Sequence, residues 1–193
     1  MCTHVALLRG INVGGRKRVA MTDLRAVVSS LGHTEVATYI QSGNVIFSSV
    51  ETDTAAIAAE LVTAVAATLG VASKVVVLSR DELSQVVANN PYLDEANPRY
   101  LHVAFTAGPV EPDQLTRIAT AQQRATDKRR RDEVTAVGRV LYLHTPDGLG
   151  RSELAAQLAR TGGTLAATGS ATVRNWATVT KLLALCRADG NSR

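Results

Sequence analysis

Two segments rich in glycine and amide side chains carry the residue types that bind anions. Residues 8–15 read Leu-Arg-Gly-Ile-Asn-Val-Gly-Gly, and residues 39–45 read Tyr-Ile-Gln-Ser-Gly-Asn-Val. Glycines allow backbone N–H groups to face a ligand, basic side chains supply charge, and amides and hydroxyls supply directed hydrogen bonds. This combination suits a phosphate or carboxylate group. The candidate ligand-binding residues here are Arg9, Asn12, Gly14, Gly15, Lys17, Gln41, Ser42 and Asn44.

The glycine spacing matches neither of the two common phosphate-binding motifs. Gly10, Gly14 and Gly15 do not fit the dinucleotide fingerprint, and no Gly-Lys-Ser/Thr follows as in a P-loop. Ser-Gly-Asn is also what a tight hairpin needs without a ligand. No general base can be assigned to Ser42, and the four histidines lack metal-ligand spacing. We therefore predict no metal and no cofactor, and the sequence leaves open whether a ligand is turned over.

A third segment, residues 172–176, reads Thr-Val-Arg-Asn-Trp. Asn175 is expected to cap the final helix, and Trp176 to anchor its first turn in the core. These roles leave Arg174 unexplained. Arg174 is therefore added to the candidate ligand-binding residues, on the hypothesis that the two halves of the chain pack about a pseudo-dyad.

The periodicity of apolar residues predicts the same order of elements twice. In each half a strand is followed by a helix, a hairpin, a second helix, a fourth strand and a trailing helix. In the first helix Thr22 is the expected N-cap, and in the helix from Pro112 both Leu115 and Ile118 are expected to face the core. The predicted strands are 3–8, 36–41, 45–49, 74–78, 100–106, 133–137, 140–144 and a last one within 167–173.

This order predicts an α+β protein built as a tandem duplication of the ferredoxin-like βαββαβ unit, with helices packed on antiparallel sheets. We expect a first half at 1–90, a linker at 91–98, a second half at 99–187 and a disordered tail at 188–193. In this plan the exit of the first strand and the turn after the second strand lie at the same end of one sheet. The two anion-binding segments should therefore be neighbours.

Composition excludes several classes of protein. With 46% hydrophobic and 20% charged residues, the chain is neither disordered nor collagenous. No secretory signal or membrane span is recognisable, and the two cysteines, Cys2 and Cys186, form no disulfide pattern or metal motif. A reducing cytoplasm is the expected location, with no membrane partner. The oligomeric state cannot be read from the sequence.

Positive charge is concentrated in two places. The net charge is +4, and residues 117–131 contain six basic residues and one acid. A second basic cluster is formed by Arg9, Arg16, Lys17 and Arg18. Such patches suit an anionic partner, although a charged run at a helix end is more often only solvated.

Four motifs together resemble a known family. They are residues 5–15, residues 39–47, Asn90-Pro91-Tyr92 and residues 172–176. The chain is similar along residues 3–186 to the bacterial domain-of-unknown-function family 1697. The resemblance implies a duplicated ferredoxin-like fold and no known activity. Val173 and Ala177 stand where the usual ending has Thr and Asn, which weakens a site built around Arg174.

Three functions remain in competition at this point. The first is binding, with or without turnover, of a small phosphorylated or anionic ligand at the loop after the first strand and the hairpin turn. The second is nucleic-acid binding through phosphates alone, because seven aromatic residues are too few for a stacking surface. The third is a protein-interaction module that pairs through open strand edges.

Overall fold

The structure, a computed structural model, describes residues 1–12, 19–159 and 171–188. The first half of the chain follows the order strand, helix, hairpin, helix, strand, helix. Its elements are β1 His4–Arg9, α1 Met21–Ser30, β2 Thr34–Tyr39, β3 Asn44–Ser48, α2 Thr54–Leu69, β4 Lys74–Ser79 and α3 Arg80–Ala88.

The second half repeats the order over the described residues. Its elements are β5 Leu101–Phe105, α4 Pro112–Asp127, β6 Glu133–Val137, β7 Val140–His144, α5 Glu153–Ala159, β8 Thr172–Asn175 and α6 Trp176–Ala188. Short 3₁₀ turns precede β5 and α5 at Pro98–Tyr100 and Leu149–Arg151. The β6–β7 hairpin has the predicted bounds.

Two four-stranded antiparallel sheets result, with orders β2-β3-β1-β4 and β6-β7-β5-β8. In each sheet the first strand of the half lies centrally, between the third and the fourth. This is the strand order of the ferredoxin-like unit, so the predicted duplicated α+β fold is confirmed.

The core of the first unit lies between one face of its sheet and helices α1 and α2. Successive strand residues point to opposite faces, so alternate residues of β1, such as Ala6 and Leu8, face these helices. Both helices bury apolar residues spaced three or four apart. Those on the buried helix faces are Leu24, Val27, Val28, Ile57, Leu61 and Val65. Burying each large aliphatic side chain contributes about 1.5–3 kcal/mol.

Two local predictions about helices are wrong. The N-cap of α1 is Ala20, which has no side-chain acceptor, rather than Thr22. In α4 the buried residues are Gln114, Ile118, Ala121 and Ala125, so Leu115 lies one position off the core face and is 44% exposed. Gln114 is turned inward because its Oε1 accepts from Glu111 N at 2.9 Å in a capping box.

The chain divides into two compact units. The first unit contains Met1–Gln85 and the described residues from Thr180 onward, and the second contains Val86–Val179. The linker predicted at 91–98 is therefore part of the second unit. The residues of α6 from Thr180 therefore belong to the first unit, although the sequence places the whole helix in the second half. Ala188, the first residue of the predicted disordered tail, is instead the last residue of α6, and residues 189–193 lie outside the described residues.

The expectation that the two cysteines form no disulfide is wrong. Cys2 and Cys186, 184 residues apart, are joined in a disulfide with their Cα atoms 4.9 Å apart.

Among the described residues no helix has the length and apolarity needed to span a bilayer. Nor do those residues bring three His, Cys, Asp or Glu side chains together as metal ligands.

The first unit contains a buried imidazole, that of His4. The His4 ring stacks on Phe47 with centroids 5.7 Å apart, and His33 packs on the same ring at 4.7 Å. Burial, with a smaller contribution from His33, lowers the pKa of His4. In the unfolded chain His4 protonates near its ordinary pKa of 6.5, while in the fold its protonation requires a lower pH.

We expect the free energy of unfolding to fall as the pH drops below about 6.5 towards the lowered pKa of folded His4, because unfolding then takes up a proton. One such proton accounts for at most about 1.4 kcal/mol per pH unit. Urea unfolding at pH 7.5 and 5.5 should show a larger loss for wild type than for His4→Asn. Equal losses would mean that His4 does not titrate on unfolding.

Candidate functional site

The exit of β1 and the β2–β3 turn lie against each other, as the strand order requires. Leu8 N donates to Gly43 O at 2.8 Å, and Asn12 Nδ2 donates to Gln41 O at 3.1 Å. We call this end of the first sheet the β1 rim and define it as residues 9–12, 40–44 and 73–74. The rim thus brings together residues that are 29 positions apart in the sequence.

Asn12 holds the rim together and is itself occupied. Its Nδ2 donates to Gln41 O and also to Val19 O at 3.0 Å, while its Oδ1 accepts from Val19 N at 2.8 Å. Both amide hydrogens are therefore in use. Asn12 has a φ of 55°, which asparagine tolerates better than most residues. These contacts make Asn12 a positioning residue rather than a direct ligand group.

The side chain of Asn44 is also used within the protein. It is fully buried, and its Nδ2 donates to Tyr39 O at 3.1 Å and to Ser42 Oγ at 3.0 Å. These bonds fix the β2–β3 turn, and Asn44 opens β3 instead of lying in the turn as predicted. Gln41 and Ser42 are exposed on the rim.

Two cations face each other across adjacent strands of the rim. Arg9, the last residue of β1, is paired in register with Lys74, the first residue of β4. Directly opposed residues project from the same face with their Cβ atoms about 5 Å apart, so two like charges there repel. Both residues are exposed, and within the described part of the chain neither forms an ion pair with a carboxylate.

Sequence patterns alone do not single out Lys74. It begins a predicted strand and has no unusual neighbours in the sequence. The sheet topology identifies Lys74, because β4 is antiparallel to β1 and therefore begins at the end of the sheet where β1 ends.

Three candidate residues, Gly14, Gly15 and Lys17, lie outside the described residues. The residues on either side of them, Asn12 and Val19, are held together by the two-way hydrogen bonding of the Asn12 amide. Residues 13–18 contain the cations Arg16, Lys17 and Arg18.

Backbone strain is present in the turn of the rim. Ile40 has a φ of 49° and is 51% exposed. A β-branched residue in the left-handed region costs about 1–2 kcal/mol, and such strain is often found at functional sites.

Arg174 lies in β8 of the second unit, paired in register with Val103. Its Nη1 donates to Thr172 Oγ1 at 2.7 Å and to Val173 O at 2.9 Å, so these contacts bind the guanidinium to its own strand. Burial lowers the pKa of Arg174 to about 10. Asn175 has the predicted capping role, because its Oδ1 accepts from Ala177 N at 3.0 Å.

The basic run after α4 is partly neutralised by neighbouring acids. Lys128 pairs with Glu153, and Arg131 with Asp147 at 2.6 Å. Within α4, Arg117 pairs with Asp113 at 3.2 Å. Three of the six basic residues in this region therefore have acidic partners. This arrangement favours a solvated charged surface over a phosphate-binding patch.

Comparison with known proteins gives a family but no activity. The family model described as "Protein of unknown function (DUF1697)" matches residues 1–142, which include the β1 rim and exclude Arg174. The chain is similar in structure to the conserved bacterial protein SP0830 from Streptococcus pneumoniae, with a TM-score of 0.71 and 22% identity over 96% of this chain and 98% of that one. At this identity the likeness shows the fold alone. No curated protein matches the chain.

Proposed function

Because the chain belongs to the DUF1697 family, whose function is unknown, we propose a role from its own residues: the β1 rim binds a small phosphorylated or otherwise anionic ligand. The observation that carries this proposal is the Arg9–Lys74 pair. Two opposed cations without a carboxylate partner in the described residues favour an anion bound between them.

Further groups at the rim support the same ligand class. The exposed Gln41 and Ser42 side chains offer hydrogen bonds to the oxygens of a phosphate. In the sequence, residues 13–18 directly follow Asn12 and contain two glycines and three cations. In this proposal Asn12 and Asn44 position the rim, Arg9 and Lys74 contact the anion, and no chemical step is included.

As part of the proposal, the protein binds its ligand in the cytoplasm. A phosphate monoester carries a charge of about −1.5 to −2 at neutral pH, so it gains more from a pair of cations than a monocarboxylate does. Nucleic-acid binding is less favoured, because three cations after and within α4 already have acidic partners.

We expect Arg9→Gln or Lys74→Gln to weaken anion binding by about 10- to 100-fold. Each substitution removes one charge-assisted contact, which contributes about 1.5–3 kcal/mol to the binding free energy. The probes are pyrophosphate, AMP, glucose 6-phosphate and coenzyme A, tested by thermal shift and calorimetry at low salt. A probe at 100 times its Kd should raise the Tm of wild type by about 5–10 °C.

The matched control is Arg80→Gln. Arg80 is a cation of the same unit, but it follows the far end of β4, after Ser79, where it pairs with Asp81. Its substitution should leave the affinity unchanged. The proposal is wrong if no probe stabilises wild type, or if Arg80→Gln reduces the affinity as much as Lys74→Gln does.

A further inference from the structure

Two cysteines at opposite ends of the sequence meet inside the first unit. Cys2 precedes β1, and Cys186 lies in the last turns of α6, in the part of that helix that belongs to the first unit. Both side chains are fully buried. Nothing in the proposed anion site requires this pair.

Cys2 is held in place by the backbone on its C-terminal side. Thr3 N donates to Phe47 O at 3.0 Å, and Thr3 O accepts from Arg80 N at 2.8 Å, so Thr3 extends the pairing of β1 with its neighbours on both sides. The Sγ of Cys2 lies 3.4 Å from His4 O, an acceptor for the S–H of a reduced thiol.

Cys186 is positioned independently by its helix. Leu182 and Leu183, one turn before it, are buried, and Arg187, one residue after it, donates from Nη2 to Ser84 Oγ at 3.0 Å. Two cysteines that separate elements hold close together have a high effective concentration towards each other. The geometry therefore favours an intramolecular bond over pairing with another molecule.

We propose that Cys2 and Cys186 form a reversible thiol–disulfide site, whose redox state sets how firmly the end of α6 is attached to the first unit. The oxidant is a low-molecular-weight disulfide of the glutathione class. In a reducing cytoplasm such a pair would be open under ordinary conditions and closed under oxidative ones.

The exchange proceeds in two steps. One protein thiolate attacks a sulfur of glutathione disulfide, which forms a mixed disulfide and releases one glutathione thiolate. The second protein thiolate then attacks the protein sulfur of that mixed disulfide, which closes the Cys2–Cys186 bond and releases the second glutathione. The two cysteines lose two electrons, glutathione disulfide gains them, and the two thiol protons pass to the released thiolates.

Burial controls the rate of this exchange. Because both sulfurs are inaccessible, a reagent reaches them only when the last turns of α6 detach from the unit. Reduction should therefore be slow in the native protein and faster in urea below the unfolding transition. Surface cysteines would show no such acceleration.

The experiment equilibrates the full-length protein in glutathione buffers of increasing oxidised fraction, blocks free thiols by alkylation and measures intact mass. We expect an intramolecular disulfide in oxidising buffers, and a Tm that falls by about 5–15 °C on reduction. Cys2→Ser and Cys186→Ser should each have the same Tm with and without reductant.

Three outcomes would overturn the proposal. The first is that both thiols stay free in oxidising buffer, and the second is that each cysteine only carries glutathione or links two chains. The third is that wild type shows no difference in Tm between the oxidised and reduced forms.

Discussion

Replacing Gly43 by alanine should destabilise the protein by about 2–5 kcal/mol and disrupt the β1 rim. A Cβ at Gly43 would lie 2.8 Å from Ile11 Cδ1 and 2.9 Å from Leu8 Cβ, distances that force one of these groups to move. Gly43 also has a φ of 73°, which adds about 1–2 kcal/mol for a residue with a Cβ. Inserting a group into a packed site typically costs a further 1–3 kcal/mol or so. Urea unfolding measures the total.

Gly10→Ala is the matched control for this substitution. Gly10 has a similar φ of 81°, but a Cβ there would meet no atom within 4 Å. The control should therefore show only the conformational cost, about 1–2 kcal/mol. If Gly10→Ala and Gly43→Ala lose the same stability, the close approach of the turn to Leu8 and Ile11 has no energetic weight.

The consequence of Gly43→Ala for binding follows from the same contact. The Gly43 carbonyl accepts from Leu8 N, the residue before Arg9, at 2.8 Å. Moving the turn away from β1 shifts Gln41 and Ser42 relative to Arg9. We therefore expect the variant to bind the anionic probes more weakly even at temperatures where it is fully folded.

Asn12→Ala should cost about 4 kcal/mol. The substitution removes three hydrogen bonds of about 1 kcal/mol each, two to carbonyls and one from Val19 N, and places alanine at a φ of 55°. It also removes both hydrogen bonds between Asn12 and Val19. Stability is measured by urea unfolding, and affinity by calorimetry with pyrophosphate.

Asn12→Gly separates the two contributions, because glycine accepts a positive φ without strain. This variant should be more stable than Asn12→Ala by about 1 kcal/mol, while losing the same hydrogen bonds. A glycine variant as stable as wild type would show that the Asn12 amide contributes nothing to closing the rim.

The fold can be predicted because apolar periodicity is a local property of the sequence. The β6–β7 hairpin is predicted at its observed bounds, since β-branched residues flank Gly138-Arg139 on both sides. The strand order then follows from the ferredoxin-like plan, and with it the proximity of Arg9 and Gln41. The N-cap prediction at Thr22 fails because the helix begins at Met21, after Ala20, whose side chain has no acceptor and so leaves no capping signal in the sequence.

The remaining features depend on pairings that no local pattern records. Lys74 joins the rim only through its register opposite Arg9, and Cys186 meets Cys2 across 184 residues. Asparagine side chains such as those of Asn12 and Asn44 can bind ligands. Here, however, the Asn12 amide donates to Gln41 O and the Asn44 amide donates to Tyr39 O. Amide residues beside glycines therefore have two interpretations, and only their hydrogen-bond partners separate them.

Mapping amide chemical shifts during titration with pyrophosphate tests the anion-binding role of the β1 rim most directly. The proposal predicts that ¹⁵N–¹H resonances of residues 9–12, 41–44 and 74 move together along one saturation curve, and that this response is lost in Arg9→Gln. Shifts confined to residues 124–131, or no saturable shifts at all, would contradict it.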